Sequence, residues 1–404
     1  MSIEDAEVPK IPNFELSQKH FLLRSVTANV RHPKEILDEL IEEIKKEHLL
    51  PYYYYLYHTL KIPNLKWDQS LYQSLIEENE KEILLLKQKI KDVEKEDEGE
   101  LETVKGWIKL GEYYAKIGDR SNAVDTLREA QKLAPSTGSK IDILLTITRI
   151  GFFFDDKSFI KSSLDQVNNL IEKGGGDWER KNRYKTYLGI YLMSTRNFTE
   201  SSKLLIDSLA TFTSTELTSY EDIAMYALIS GAVTLSRPDL KKKLIDSPEI
   251  LAINGNSDKL KPIYNLINSL YSCKYGSFFQ HLLDTNDQIL LNDKYLAAHS
   301  SYYIRELRVR AYAQLLESYK SLSLKSMADQ FKVSIDFLDK DLCKFIPNKK
   351  LNCVIDRVNG IIETNRPDNK NSQYQLLIKN GDSLLTKLQK YGAAVRLSGA
   401  ERVN

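Results

Sequence analysis

The chain has 404 residues, too many for one small domain, and its 42% apolar and 28% charged residues, with 17 Gly and 11 Pro, make an ordinary globular composition. Lys and Arg number 57 and Asp and Glu 56, so the net charge of +1 offers no global field to draw in DNA, RNA or an anionic membrane. Cys273, Cys343 and Cys353 form no CxxC pair and cannot all be bridged, no apolar run approaches the roughly 20 residues of a membrane span, and the acidic start, Met1 to Pro12, has no basic and apolar leader. These features predict a protein of the cytoplasm and nucleus.

From Pro33 to Leu101 glycine and proline are scarce, and Ile36, Leu37, Leu40, Ile41 and Ile44 recur at the spacing of a helix. The run Tyr52 to Tyr55 after Pro51 reads as aromatic core packing, not as a platform for stacking a ligand. From Asp68 the heptad series Ile76, Ile83 and Ile90, joined by Leu86 and Val93, predicts a long amphipathic helix. It runs into the charged stretch Lys91 to Glu100, read as a solvated face or linker.

The segment that follows carries a repeat signature. Trp107, Leu110, Gly111 and Tyr114, then Gly118, Ala123, Leu127, Ala130 and Pro135, stand where a tetratricopeptide unit requires them. Gly111 and Ala123 let two antiparallel helices approach closely, Trp107 and Tyr114 fill the space between them, and Pro135 stops the second helix. Ile147, Ile150, Gly151 and Phe154 repeat the first half, and Leu188, Gly189, Leu192, Ser201 and Leu205 repeat the unit more loosely. A unit of this kind cannot bury its apolar face alone, so the copies must stack into a short solenoid that presents a long surface to protein partners. The triple glycine Gly174 to Gly176 lacks the spacing of a phosphate loop and reads as a connection between helices. Beyond it Ile223, Tyr226, Ala227 and Ile229 keep the helical spacing, divided into short helices around Pro238, Pro248 and Pro262.

After Arg305 the pattern changes. A helix through Leu315 and Tyr319 is followed by two short helices capped by Ser323 and Ser334, then by a hairpin through Val354, the turn Asn359–Gly360 and Ile361. Two helices and a hairpin are a winged helix. Its second helix carries Asp336, Asp339 and Asp341 against Lys340 and Lys344, and carboxylates facing a phosphate backbone argue against DNA reading. The hairpin residues Val354, Ile355, Ile361 and Ile362 are instead the candidate partner contact, joining a neighbour's sheet. Past Pro367, Tyr374, Leu377, Gly381, Leu384, Leu388, Tyr391 and Val395 alternate in steps of three and four, giving one apolar seam suited to a helical bundle with other chains.

No catalytic constellation is legible. The histidines His20, His32, His48, His58, His281 and His299 form neither HExxH nor HxH, so no zinc site is expected. Cys343 and Cys353 read as small buried hydrophobes, no GxSxG is present, and Glu42–Glu43 and Glu77–Glu78 read as solvated helix faces. No catalytic residue, cofactor or metal is assigned.

Helical repeats leading into a winged helix resemble the PCI family, shared by the proteasome lid, the COP9 signalosome and translation initiation factor three. Within it Asp97 to Leu101, Gly176 to Thr186, Leu217 to Glu221, Phe345 to Lys349, Asn365 to Lys370 and Gln389 to Arg396 resemble the family of the seventh non-ATPase subunit of the 26S proteasome regulatory particle. The likeness runs from about residue 10 to the C-terminus. It implies a non-catalytic lid subunit that scaffolds lid assembly for ubiquitin-dependent degradation. Its implied partners are the PCI subunits and metalloprotease pair of the lid, the ATPase ring and the core particle, in a hetero-oligomer without nucleic acid or membrane. The alternatives are the corresponding signalosome subunit and a winged-helix nucleic-acid adaptor. The expected fold is mainly α: an N-terminal helical region (1–100), tetratricopeptide-like repeats (101–300), a PCI winged helix (301–370) and a terminal bundle helix with its tail (371–404).

Overall fold

The structure, a computed structural model, describes residues 9–25, 32–96, 100–365 and 369–400. The acidic first eight residues, positions 97–99 of the charged run and positions 366–368 of one family string lie outside them. The chain divides into two units, Met1–Arg308 and Val309–Asn404.

The first unit is helical among its described residues. It opens with α1 (Phe14–Arg24), α2 (Pro33–Glu47), α3 (Leu50–Tyr54), which passes into a π-helical turn at Tyr55–Leu60, and α4 (Gln69–Glu96). Leu40 and Ile44 of α2 and Tyr52, Tyr53 and Leu56 form a buried cluster with Leu16 and Phe153. The aromatic run therefore splits: Tyr52 and Tyr53 are core as expected, whereas Tyr54 is exposed and meets His58 with the rings tilted, their centres 4.3 Å apart. Helical spacing alone turns Tyr54 away from the face that Tyr52, Tyr53 and Leu56 bury.

Three helix pairs follow: α5 (Glu100–Ile117) with α6 (Arg120–Leu133), α7 (Thr137–Phe154) with α8 (Lys157–Glu172), and α9 (Trp178–Ser194) with α10 (Phe198–Leu209). Their starts are set by side chains that accept otherwise orphaned amides. Asp119, Ser136, Asp156 and Asn197 cap the third residue onward at Asn122, Ser139, Phe159 and Glu200. Close packing within the pairs comes from glycine. A Cβ at Gly111 would lie 2.6 Å from Leu127 Cδ2, and one at Gly189 would lie 2.7 Å from Leu205 Cδ2. The same step of the repeat thus carries the same contact twice, as the sequence spacing predicts.

A polar network ties successive repeats. Arg183 on α9 donates to Glu216 at 2.9 Å and to Asp142 of α7 at 3.2 Å, and Tyr187 donates to the same Glu216 oxygen at 3.0 Å. Glu216 and Arg183 are both almost wholly buried, and burial beside that carboxylate pushes the Tyr187 phenol far above its ordinary range. The unit continues through α11 (Tyr220–Thr234), α12 (Arg237–Leu240), α13 (Pro248–Asn256), α14 (Lys261–Tyr271) and α15 (Tyr275–Thr285). Pro238, Pro248 and Pro262 each stand in the first turn of α12, α13 or α14, where a missing amide costs nothing.

Helix α16 (Ser300–Leu316) spans the unit boundary and ends before Tyr319, earlier than the sequence reading. The second unit then holds β1 (Ser321–Ser323), α17 (Leu324–Phe331), α18 (Ile335–Phe345), β2 (Cys353–Asp356), β3 (Ile361–Thr364) and α19 (Asn369–Ala400). Ser323 and Ser334 cap α17 and α18 as predicted. The strands run antiparallel in the order β1-β3-β2, with Leu322 opposite Ile362 and Ile355 opposite Ile362 on the other side. Tyr312 meets Phe331 edge to face at 5.0 Å to centre the winged-helix core.

Candidate subunit interface

The tetratricopeptide positions are internal packing. Leu110, Tyr114, Ala123 and Ala130 are buried, Gly111 lies against Leu127, and α6 ends two residues before the exposed Pro135. Trp107 is only half-buried, so it fills less of the space between the helices than its motif position suggested.

In the winged helix the four hairpin residues part company. Val354 is 54% exposed on β2, the outer strand, whereas Ile362 is 0% exposed in the central strand. Ile362 belongs to the unit's own core, which corrects its place among the partner contacts; Ile355 and Ile361 are half-buried. The cause is alternation: Ile355 pairs with Ile362 and shares its inward side, while Val354 pairs with Glu363 on the outward one. An outer strand with free backbone groups and an exposed valine can accept another strand.

The acidic reading of α18 also changes. Asp341 is buried, and Asp339 accepts from Arg357 at 2.9 Å, leaving Asp336 as the exposed carboxylate of the three. Cys343 is exposed, with Arg357 Nη2 2.9 Å from its sulfur, so it is not the buried hydrophobe that its apolar neighbours suggested. Residue spacing alone did not reveal that the turn after β2 brings Arg357 back over α18. Cys353 is buried, and burial pushes its thiol up to about 11, away from the thiolate that a nucleophile requires.

Helix α19 has the opposite character. It is 32 residues long, about 48 Å at helical rise, and every side chain described between Lys370 and Arg396 is exposed. Leu377 is 71% exposed, Leu384 60%, Leu388 64% and Tyr391 75%, so the predicted seam faces solvent throughout. Ile378 and Leu385 are exposed as well, and at 3.6 residues per turn they widen the apolar face to an arc of about 140°. Gly381 and Gly392 lie within that arc, and among the described residues nothing beyond the helix's own adjacent turns comes within 4 Å of where a Cβ would stand at either.

Among the described residues no group of His, Cys, Asp and Glu could hold a metal ion, and no helix is long and apolar enough to cross a membrane. His20 and His299 are buried, bonded to Tyr52 at 2.9 Å and to the Ser194 carbonyl at 2.8 Å. His32 and His48 pair with Glu35 and Glu78.

Comparison with known proteins follows the same division. The family model of the 26S proteasome subunit RPN7 matches residues 68–243, that of the PCI domain matches 283–366, and that of the RPN7/PSMD6 C-terminal helix matches 373–395. The chain is 54% identical to the 26S proteasome regulatory subunit RPN7 of Saccharomyces cerevisiae, with 99% of this chain and 97% of that protein aligned. It is 45% identical to the corresponding subunit of Schizosaccharomyces pombe (97% and 98% aligned) and 39% identical to the 26S proteasome non-ATPase regulatory subunit 6 homolog of Arabidopsis thaliana (97% and 99%).

Proposed function

The chain belongs to the RPN7 family of 26S proteasome regulatory subunits, and from that premise we propose that it is a non-catalytic structural subunit of the proteasome lid, assembling the particle that processes ubiquitylated substrates. The observation that carries the reading is α19. An isolated helix in water gains little from propensity, and an apolar arc of this width is stabilised only when packed. Among the described residues nothing covers Leu377, Leu384, Leu388 and Tyr391, and on this reading their cover comes from helices of other subunits. A glycine inside a helix costs about 1 kcal/mol relative to alanine, and Gly381 and Gly392 have no neighbour of their own to accommodate. Both suit a close crossing by a partner helix.

The outer strand β2, with Val354 outward, is the second contact, extended by a neighbour's winged helix. The partners are the other PCI subunits and the metalloprotease pair of the lid, with the ATPase ring and core particle beyond them, in the cytoplasm and nucleus. The work divides along the chain: residues 1–100 form the N-terminal helical region, 101–300 supply the repeat scaffold, 301–370 the winged helix and 371–404 the bundle helix with its tail. Similarity to RPN7 proteins over nearly the whole chain supports this reading over a signalosome subunit. Purifying the tagged full chain from cell extract and identifying its companions by mass spectrometry tests it. Proteasome regulatory subunits are the expected companions; signalosome subunits or nucleic acid in their place would overturn the proposal.

A further inference from the structure

Helix α1 is held to the rest of the first unit in an unusual way. Of its buried residues Leu16, Ser17 and His20, two are polar, whereas α7, on which it rests, buries an almost continuous apolar run. Leu16 joins the buried cluster with Phe14 and Leu23 packed partly against it, and Lys19 pairs with Glu43 of α2 at 2.7 Å while the Tyr52 hydroxyl donates to the Leu16 carbonyl at 3.1 Å, so this side of α1 is fastened to α2 and α3. It also meets the segment Asn292 to Leu296, far away in sequence, between α15 and α16.

Lys294 is the centre of the contact. Its ammonium donates to Ser17 Oγ at 2.5 Å, to the Phe152 carbonyl at 2.8 Å and to the Phe153 carbonyl at 2.9 Å, so three donors meet three acceptors. The two carbonyls belong to the last turn of α7, where the helix leaves acceptors unsatisfied and where its dipole favours a cation. Ser17 completes the triangle by donating to Phe153 O at 3.2 Å. Gln18 grips the same segment with both ends of its amide, donating to the Asn292 carbonyl and accepting from the Lys294 amide at 3.2 Å. Asp293 fixes the segment itself. It accepts from the amides of Tyr295 and Leu296 at 2.8 and 3.0 Å and from the Tyr226 hydroxyl of α11 at 2.7 Å.

We infer that α1 is a latch, closed by Lys294 and Gln18, which fastens the beginning of the helical array to its far end and opens as a unit when that polar junction is broken. The logic is the asymmetry of polar contacts shielded from water, here between the half-buried Lys294 and Gln18 and the buried Ser17 and Asp293. Satisfied, they hold firmly; with one partner removed, the remaining buried groups favour opening to water over staying unpaired. Opening would take the Lys294 donor from the Phe152 and Phe153 carbonyls, leaving Phe152 with the Asp155 amide at 3.3 Å, and would expose part of the apolar cluster around Leu16 and Tyr52, while leaving the paired repeat helices intact.

Hydrogen exchange on the full chain tests this, comparing wild type with Lys294→Met, which keeps the aliphatic stem, and with Gln18→Leu. The latch predicts that amides of Phe14–Arg24 and of Asn292–Leu296 exchange together and at least tenfold faster in both variants, with α14 unchanged. Unaltered protection of α1 in Lys294→Met would overturn the inference, and so would an equal loss of protection in every helix, which would make the junction part of the global core. If Lys294→Met does not fold, Gln18→Leu alone carries the same two outcomes.

Discussion

The repeat helices and α19 are made alike, as helices with one apolar stripe, but they dispose of the stripe in opposite ways. In α6 and α10, Leu127 and Leu205 are wholly buried against Gly111 and Gly189 of their partner helices, whereas in α19 Leu388 is 64% exposed and Gly381 faces empty space. The same device, glycine beneath a leucine, is complete within the chain in one region and half-built in the other. The difference points to where the missing half lies: the repeats are finished by their own sequence, and α19, in the function we propose, is finished by another protein.

That contrast can be broken most severely inside the repeats. Glu216→Ala would leave Arg183 with Asp142 as its remaining carboxylate and remove an acceptor from Tyr187, a loss at the lower end of the about 3 to 5 kcal/mol that breaking a buried pair costs. Denaturant unfolding of the full chain should show a loss of that size. A change below about 1 kcal/mol would mean that the network does not hold the repeats.

Ala123→Leu adds bulk where α6 has no room, since Ala123 is 0% exposed, and overpacking of this kind costs about 1 to 3 kcal/mol. Melting should fall with it. If Ala123→Leu melts like wild type yet fails to enter the complex, this face is a partner surface and the repeats are not self-sufficient.

A smaller and graded effect comes from pH. Burial, with Lys294 and Arg24 nearby, lowers His20 from its ordinary value of 6.5 to about 3. The folded chain therefore keeps His20 neutral while the unfolded chain takes up a proton below pH 6.5. Its stabilising contribution is complete above that pH and is lost as pH falls toward 3, by about 1.4 kcal/mol per unit. His20→Asn should flatten this slope between pH 6.5 and 5, read from unfolding midpoints at fixed salt; an unchanged slope would show that His20 is not the group responsible.

The sequence disclosed these regions unevenly, for physical reasons. The glycine and leucine steps of the repeats and the seam of α19 are local periodicities, so both were legible, as were the serine caps of α17 and α18. Strand β1 was not, because three residues with the pattern Ser-Leu-Ser carry little signal and their partner, β3, lies some forty residues on. Ile362 and Val354 look alike as letters; only the register of β2 on β3 turns one inward and the other out. The burial of Asp341 and the exposure of Cys343 depend on how α18 sits on its neighbours. Lys294 was invisible as a contact because its acceptors include backbone carbonyls, which no side-chain pattern reports.

The central claim is that α19 contributes to assembly and little to the chain's own stability, and Leu384→Ala with Leu388→Ala tests it most directly. Exposed positions change stability by about 0.5 kcal/mol or less, so the double variant should melt with wild type. Truncating two central interface anchors costs about 2 kcal/mol or more each, roughly a thousandfold in affinity together, so incorporation into the regulatory particle should collapse. Native melting with lost incorporation is the predicted result. Wild-type incorporation, or a lowered melting temperature in the isolated chain, would contradict the account.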